Sequence, residues 1–534
     1  MRPGGIGFHH PVAFWSGCAL IVAGVLSHAP MFLMGRHTHW QMVGMPMTPW
    51  MWAGMAAIVA GLALAAFGVA PRVAQRRAAQ AGAAAVQFHV ADHVPLNRAH
   101  GILVVVLVVA LAVDVMKPAT LGFVLPGMSF EYGIDHAAAS WLALVALTGT
   151  TVGSVLWGRV ADLAGRRAAI LLGALMFIGT AICGAMPAFG WNLAMCFLMG
   201  LSAGGLLPIT FTLMAETVPA AHRGWLLVAL GGVGTSVGYL LAAGAAATLE
   251  PHFGWRALWL LGLPTGALIV LLYRFIPESP RFLSSMGLAS EAREVLRRFA
   301  GSKAAIEVDS PVHPGAPEID DVHPVTGMRQ LLRGRHAPIT WGLLTCGLAW
   351  GLVTFGVVLW LPVNLAGLGV DPRDASALLA RSAVYALPGI ALVVWLYHRW
   401  SSFRALVLFI ALTTVSLLAL AASGLQPSPA PSAIIAATVA LLVSSSGVIA
   451  MLIPYAAEIY PVHLRGTGAG LVAASSKFGG IIGAGLGVAG LFGQFAASTA
   501  LVALPMAVSG VLLLRNGVET RGRALEDIQR ALRP

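Results

Sequence analysis

The chain has 534 residues, of which 58% are hydrophobic and only 10% are charged, and its mean hydropathy is +0.83. About 25% of the residues of a soluble globular protein are charged, so this composition excludes that class and is typical of a helical membrane protein. The net charge of +11 invites a nucleic-acid partner, but the basic residues fall mostly in alternate loops, as topology signals do. We therefore expect a multi-pass protein of the lipid bilayer with no nucleic-acid partner.

Two spans are predicted first, around 12–28 and 50–70, and the loop between them is rich in methionine and histidine. Thioether and imidazole groups suit soft copper(I), which makes candidate ligands of His37, His39, Met42 and Met45. Methionine is also an adaptable apolar filler, and the spacing matches no fixed metal signature. Both interpretations stay open, and no metal site is assigned from the sequence.

Twelve more spans follow a basic, Ala-rich connector that ends near residue 99, which makes about fourteen in all. They are predicted near 101–124, 138–157, 168–188, 191–214, 225–247, 257–276, 338–362, 375–397, 404–423, 432–456, 466–490 and 495–515. Counting outward from the arginine-rich loops places both termini in the cytoplasm, and the expected location is the inner (plasma) membrane.

An internal repeat indicates how these twelve spans are organised. AETVPAAHRG at 215–224 and AEIYPVHLRG at 457–466 share Ala, Glu, Pro, Arg and Gly at the same relative positions, each after an apolar span. Two such copies predict two homologous six-helix bundles. The predicted domains are the hairpin with its connector (1–99), the first bundle (100–276), a cytoplasmic loop (277–337), the second bundle (338–515) and a tail helix (516–534).

Two motifs carry a family resemblance that covers about residues 100–515. GRVADLAGRRAAI (158–170) resembles the signature between the second and third helices of the major facilitator superfamily, and PESPRFL (277–283) resembles a motif of its sugar porters and organic-ion carriers. GWRALWLLGLPTGALIV is similar to the branch of aromatic-acid:proton and other metabolite symporters. The resemblance implies a twelve-helix facilitator fold, here with an extra N-terminal two-helix hairpin, that works by alternating access.

The same resemblance implies a cytoplasmic latch. The signature places Gly158, Asp162, Gly165, Arg166 and Arg167 at that face, and the repeat adds Glu216 with Arg223 and Glu458 with Arg465 as charge pairs that break when a gate opens. Static topology anchoring is the alternative role for these residues. The second-half counterpart, YHRWSSFRAL (397–406), lacks the acid and the glycine, so a strong latch is predicted in the first half only.

Charged residues inside spans identify the candidate transport site. Asp114 and Lys117 lie three residues apart and share a helical face, although each costs roughly 2.5 kcal/mol or more where it meets lipid. In the first span of the first bundle that face is expected to line a central cavity, where Asp114 exchanges a proton and Lys117 meets an anionic substrate. A mutually neutralising pair that ties two helices together is the alternative. Lys477 is a second candidate cation, and Tyr239 a candidate for stacking on a ring.

The predicted function is proton-coupled transport of a small organic anion, a carboxylate or aromatic acid. Sugar or other metabolite transport is the first alternative, and a copper-linked transporter or a non-transporting receptor that uses the hairpin is the second. An enzyme is not expected, because no nucleophile–base arrangement or nucleotide-binding loop is present in the sequence. No cofactor is expected, and the protein is expected to be a monomer.

Overall fold

Every regular element in the described part of the chain is a helix. The structure is a computed structural model that describes residues 10–69, 92, 94–134, 136–308, 327–333, 336–358, 391–425, 431–488 and 495–532. Thirteen helical segments within these residues are long and apolar enough to cross a membrane. The predicted all-α polytopic architecture is confirmed. The predicted span at 375–397 lies mostly outside the described residues, and the other thirteen predicted spans correspond to these segments.

The chain divides into two compact units, of which the first comprises Met1–Pro219 and Val233–Pro324. Its helices are α1 (Pro11–Leu26), α2 (Ala29–Met34), α3 (Pro49–Val69), α4 (Arg98–Tyr132), α5 (His136–Ala164), α6 (Arg166–Gly179), α7 (Phe189–Thr217), most of α8 (Ala220–Phe253), α9 (Ala257–Leu260), α10 (Gly262–Leu271), α11 (Pro280–Ser285) and α12 (Ala289–Val308). Short 3-10 turns extend α2, α6 and α10, at Gly35–Thr38, Thr180–Ala185 and Leu272–Phe275.

The second unit comprises Ala220–Gly232, which is the first part of α8, and Val325–Pro534. Its other helices are α13 (Gly327–Arg333), α14 (Ala337–Leu352, continued by a π-turn at Val353–Val358), α15 (Ser402–Gly424), α16 (Pro431–Ile459), α17 (Val462–Val488), α18 (Phe495–Asn516) and α19 (Leu525–Ala531). Residues 391–399, which precede α15, are also helical. The predicted domain boundaries at 99, 276, 337 and 515 remain predictions.

The N-terminal hairpin is built on close contact between α1 and α3. A Cβ atom at Gly17 would lie 2.5 Å from the backbone oxygen of Gly61, and one at Gly24 would lie 2.5 Å from that of Gly54. Small residues let helix backbones approach closely where lipid supplies no hydrophobic driving force between helices. Both α1 and α3 also pack against α6, so the hairpin is an integral part of the first unit.

The same principle organises one helix pair in each unit. In the first, a Cβ at Gly153 of α5 would lie 2.2 Å from the backbone oxygen of Leu201 in α7, and the Ser154 hydroxyl donates to the backbone oxygen of Gly204 at 2.7 Å. In the second, a Cβ at Gly351 of α14 would lie 2.1 Å from the backbone oxygen of Ser476 in α17. These contacts leave little room for larger side chains along either seam.

The segments outside the spans fold against their own units. The loop after residue 277 contains the helix α12, whereas its Pro-rich stretch 309–324 lies outside the described residues. Leu525 and Ile528 of the tail helix α19 are buried against the end of α16. The apolar face of this helix therefore completes the packing of the second unit.

Candidate functional site

Asp114 and Lys117 are both buried within α4, with 4% and 1% of their surface exposed. The ammonium of Lys117 donates to the backbone oxygen of Phe177 at 2.9 Å and to the Thr180 hydroxyl, and it lies 4.3 Å from the centroid of the Phe177 ring. A Cβ at Gly262 would lie 2.6 Å from Nζ. Lys117 is therefore enclosed between α4, α6 and α10 of the first unit.

The expectation that Lys117 lines a central cavity stays a prediction, and the structure describes which groups its ammonium contacts. A three-residue spacing puts Asp114 and Lys117 on one side of α4, but it does not decide which neighbour each side chain meets. Among the described contacts, those of Lys117 run to α6 and its 3-10 extension, and no ion pair joins it to Asp114.

The remaining intramembrane candidates are placed as follows. Gly238 packs on α4, where its Cβ would lie 2.6 Å from the backbone oxygen of Ala112. Tyr239 is thus at the level of Asp114 along the two helices, although its side chain lies outside the described residues. Lys477 is half-buried in α17. The neighbouring Ser475 and Ser476 hydroxyls donate to backbone oxygens of their own helix at 2.7 and 2.8 Å, so each is already engaged as a donor.

Five charged residues form a cluster at the junction of α5, α6, α7 and the segment before α11. We call Asp162, Arg166, Arg167, Glu216 and Glu278 the arginine cluster. The fully buried guanidinium of Arg166 donates to Glu216 at 3.0 Å and lies 3.5 Å from Asp162. A buried ion is tolerated only when opposite charges and hydrogen bonds compensate for lost hydration, which is the arrangement here.

Glu278 joins the two sequence motifs. Its carboxylate accepts from the backbone N–H of Arg166 at 2.8 Å and of Arg167 at 3.2 Å, so it caps the N-terminus of α6. An anion is stabilised there by the unpaired N–H groups and the helix dipole. Burial raises the pKa of Glu278, while the N–H of Ser279 and the charge of Arg166 act in the opposite direction. Gly165 precedes this cap with φ of +105°, and its Cβ would lie 2.3 Å from Glu278 Oε2.

Gly158 of the signature is buried within α5, one turn before Asp162. It therefore lies next to the arginine cluster along the helix without supplying a side chain to it.

The second unit holds Glu458 differently. The buried carboxylate accepts from the Tyr397 hydroxyl at 3.0 Å and from the Thr520 hydroxyl at 2.6 Å, and Arg223 is close enough to act on its charge. Within the described part of this unit no ion pair joins Glu458 to Arg465, whose Nε donates to the backbone oxygen of Tyr460 at 3.0 Å. The described partners of the Glu458 carboxylate are thus hydroxyl groups, and its expected pairing with Arg465 stays a prediction.

Glu519 is the structural counterpart of Glu278, because it also caps a helix N-terminus, and sequence reasoning missed it. It accepts from the backbone N–H of Ser402 at 3.0 Å, at the start of α15, and from the hydroxyls of Ser401 and Ser402. The signal was present, since PES at 277–279 and VET at 518–520 both follow the last span of a bundle. The second half thus retains an acid at its helix cap, supplied from a distant segment.

A second polar network, also missed, lies at the other end of α4. Glu131 accepts from Arg256 Nη2 at 2.7 Å, from Trp255 Nε1 at 2.9 Å and from the backbone N–H of Met42 at 2.7 Å. Arg256 also donates to the Tyr132 hydroxyl at 3.1 Å. Burial raises the pKa of Tyr132 to about 12, although the positive charge of Arg256 opposes this shift. We call these residues the Glu131 network; it ties the hairpin loop to the first bundle.

The copper candidates of the hairpin loop do not converge. His37 and His39 are exposed, Met42 is buried, and Met45 is half-buried. Among the described residues, no group of three or more His, Cys, Asp or Glu side chains is arranged to hold a metal ion. The four candidates therefore do not form one ligand set in this structure.

Comparison with known proteins identifies the family of the chain. The family model for the Major Facilitator Superfamily matches residues 102–484 of this chain. The niacin transporter NiaP of Acinetobacter baylyi is 28% identical over 454 residues, covering 82% of this chain and 98% of that protein. The 4-hydroxybenzoate transporter PcaK of Pseudomonas aeruginosa is 27% identical (80% and 95% covered), and the gallate transporter of Pseudomonas putida is 26% identical (80% and 94%).

Solved structures support the fold. The proton:xylose symporter XylE, bound to a bromodeoxyglucose, superposes with a TM-score of 0.66 at 16% identity, covering 81% of this chain and 99% of that one. At this identity the similarity concerns the fold alone. The family model matches most of the chain, the relatives are matched over nearly their full length, and the helical architecture is shared. The chain therefore belongs to the Major Facilitator Superfamily.

Proposed function

We propose that this transporter moves a small aromatic carboxylate across the bacterial inner membrane together with protons, by alternating access. The observation that carries the proposal is that relatives matched over 94–98% of their length are named for niacin, gallate and 4-hydroxybenzoate. All three are planar aromatic rings that bear a carboxylate. In this proposal both termini are cytoplasmic, the protein acts as a monomer, and no cofactor takes part.

Asp114 is proposed as the proton-exchanging group. It is the acid that α4 buries within the span, at the level of Tyr239, and a carboxyl group in such a place is costly unless it serves a function. Lys477 and Lys117 are proposed to supply the positive charge that favours a carboxylate. Because Lys117 is enclosed by α6 and α10, it acts through the field of its ammonium group in a medium of low dielectric constant and not by direct contact.

The arginine cluster and the Glu458 hydroxyl set are proposed to hold the cytoplasmic side of each bundle during the transport cycle. The buried pair of Arg166 with Glu216 supports this role. Because a buried ion pair is stable only while its geometry is intact, the bundle favours two discrete states, one with the pair formed and one with it broken. Gly158, Arg167 and Arg223 belong to the same proposed assembly.

The test is uptake by purified protein in proteoliposomes, with labelled 4-hydroxybenzoate, gallate and niacin as probes and xylose as the sugar comparison. We expect saturable uptake of at least one aromatic acid that is driven by an inwardly directed proton gradient. Asp114→Asn should abolish gradient-driven accumulation while substrate exchange persists, because exchange needs no net proton transfer. Asp527→Asn, in an exposed ion pair of the tail, is the matched control and should leave uptake unchanged.

Three outcomes would contradict the proposal. Uptake of xylose without uptake of the acids would move the protein to the sugar class. Ligand binding without flux would favour a receptor. Accumulation that Asp114→Asn leaves intact would assign proton coupling to another residue.

A further inference from the structure

The hairpin buries three methionines that meet in one cluster. Met31 of α2, Met42 of the following loop and Met51 of α3 are 2%, 0% and 1% exposed, and Met45 and Met47 pack against them. Thioether sulfurs are soft, neutral ligands that favour monovalent copper over harder cations. Three such side chains in one buried cluster offer thioether ligands of a kind that the exposed His37 and His39 do not.

A buried histidine lies on the same helical face. His28 is 2% exposed, and its Nδ1 lies 2.9 Å from the backbone oxygen of Gly24. A carbonyl oxygen can only accept, so this bond places the proton on Nδ1 and leaves the lone pair on Nε2. Nε2 is buried and has no hydrogen-bond partner among the described residues. A histidine that donates one ring N–H to a carbonyl and presents the other nitrogen is in the state required of a metal ligand.

The helix register directs this nitrogen toward the methionines. Ser27 and His28 keep right-handed helical angles, so Gly24, His28 and Met31 follow one another on one face at spacings of four and three. Gly24 packs on Gly54 of the antiparallel α3, and Met31 packs on Met51, one turn earlier in α3. The His28 ring therefore lies between these two levels.

The two ring nitrogens of an imidazole point away from each other. Because Nδ1 of His28 faces Gly24, Nε2 points away from Gly24, and Met31 is the next residue along the same helical face. We propose that His28 Nε2 and the thioethers of Met31 and Met51, with Met42 closing the set, bind one copper(I) ion. The ligands are neutral and soft, which suits a single positive charge and disfavours divalent cations. This site is independent of the proposed transport function.

The competing explanation is that the methionines only fill space. Methionine packs into irregular gaps, and leucine replaces it with little loss of stability because the two side chains have similar volumes. Leucine removes the sulfur while it retains the volume, so Met31→Leu together with Met51→Leu separates binding from packing.

The experiment is anaerobic titration of the detergent-purified full chain with copper(I), in competition with the chromogenic chelator bicinchoninate. We expect one copper(I) per chain, with an affinity that falls by roughly tenfold or more in the Met31→Leu/Met51→Leu variant. Met34→Leu, an exposed methionine of the same helix, and His37→Ala/His39→Ala are matched controls and should bind as the parent does. Unfolding curves of all variants verify that the hairpin remains folded.

X-ray absorption of the loaded protein should show sulfur neighbours together with one nitrogen. The proposal is overturned if the parent binds no copper(I), or if the double leucine variant binds as tightly as the parent. Loss of binding in His37→Ala/His39→Ala alone would also overturn it, since the ion would then sit in the exposed loop. Binding that survives the leucine substitutions but is lost in Cys183→Ser would assign it to the buried thiols of Cys183 and Cys196.

Discussion

At the scale of single residues, Gly165 meets two requirements that a side chain would violate. Its φ of +105° is costly for any residue with a Cβ, and that Cβ would lie 2.3 Å from the carboxylate oxygen of Glu278. We expect Gly165→Ala to lower the free energy of unfolding by about 1–3 kcal/mol. The measurement is the unfolding transition of purified protein in detergent.

Gly101 provides the comparison for this substitution. It lies in α4, and nothing comes within 4 Å of a Cβ added there. Gly101→Ala should be neutral or stabilise by up to about 1 kcal/mol, because alanine is the better helix former. Equal effects at the two positions would show that the contact between Gly165 and Glu278 contributes little to stability.

Glu519 gives a residue-scale prediction about pH. Burial raises the pKa of its carboxyl, but hydrogen bonds from the Ser401 and Ser402 hydroxyls and from the N–H groups of Arg521 and Ser402 bring it below the ordinary value. The folded state then binds fewer protons than the unfolded one, so the stabilisation is present above about pH 4.3 and is lost as the pH falls through the lowered pKa. Glu519→Gln should destabilise the protein at neutral pH and match the parent in acid.

Thermal unfolding across this pH range measures the effect on Glu519. Asp527→Asn, at an exposed ion pair of the tail, is expected to leave the curve unchanged at every pH. If Glu519→Gln lowers stability by the same amount in acid as at neutral pH, the amide disrupts packing, and the loss does not come from the charge of the cap.

At the scale of helices, the Glu131 network fixes the hairpin loop to the first bundle. The Arg256 guanidinium is fully buried and bridges the end of α4 to the backbone oxygen of Met186, 2.8 Å away, while Glu131 receives the N–H of Met42. Removing one partner of a buried pair leaves the other charge uncompensated. We expect Arg256→Ala to cost about 3–5 kcal/mol of stability in denaturant unfolding.

Arg36→Ala is the control for Arg256→Ala, since Arg36 is an exposed arginine of the hairpin loop. It should change stability by no more than about 0.5 kcal/mol. If Arg256→Ala behaves like this control, the hairpin is held by the contacts of α1 and α3 with α6, and the network is dispensable.

The helices themselves were predictable from the sequence, but their side-chain partners were only partly so. Composition and apolar length located thirteen of the described spans, because the thickness of a bilayer imposes that length. The motifs around Arg166 and Glu278 were also visible, yet these residues are 112 positions apart and nothing in either motif states that one caps the other. Lys117 shows the same limit, since its partners on α6 depend on helix packing that the spacing to Asp114 does not encode.

At the scale of the whole molecule, two homologous halves stabilise equivalent glutamates by different chemistry. In the first unit Glu216 accepts from the guanidinium of Arg166 at 3.0 Å. In the second unit Glu458 accepts from the hydroxyls of Tyr397 and Thr520. The expectation of a strong latch in the first half only, and its role in gating, stay predictions.

The two glutamates therefore should not respond equally to neutralisation. Glu216→Gln removes a carboxylate from a buried arginine, which costs about 3 kcal/mol or more. Glu458→Gln keeps an oxygen that accepts from both hydroxyls, so the expected loss is about 1 kcal/mol or less. Denaturant unfolding of the two variants, prepared side by side, measures the difference. Equal losses of stability would contradict this expectation. They would mean that the charge of Arg223 stabilises Glu458 as strongly as the direct bond from Arg166 stabilises Glu216.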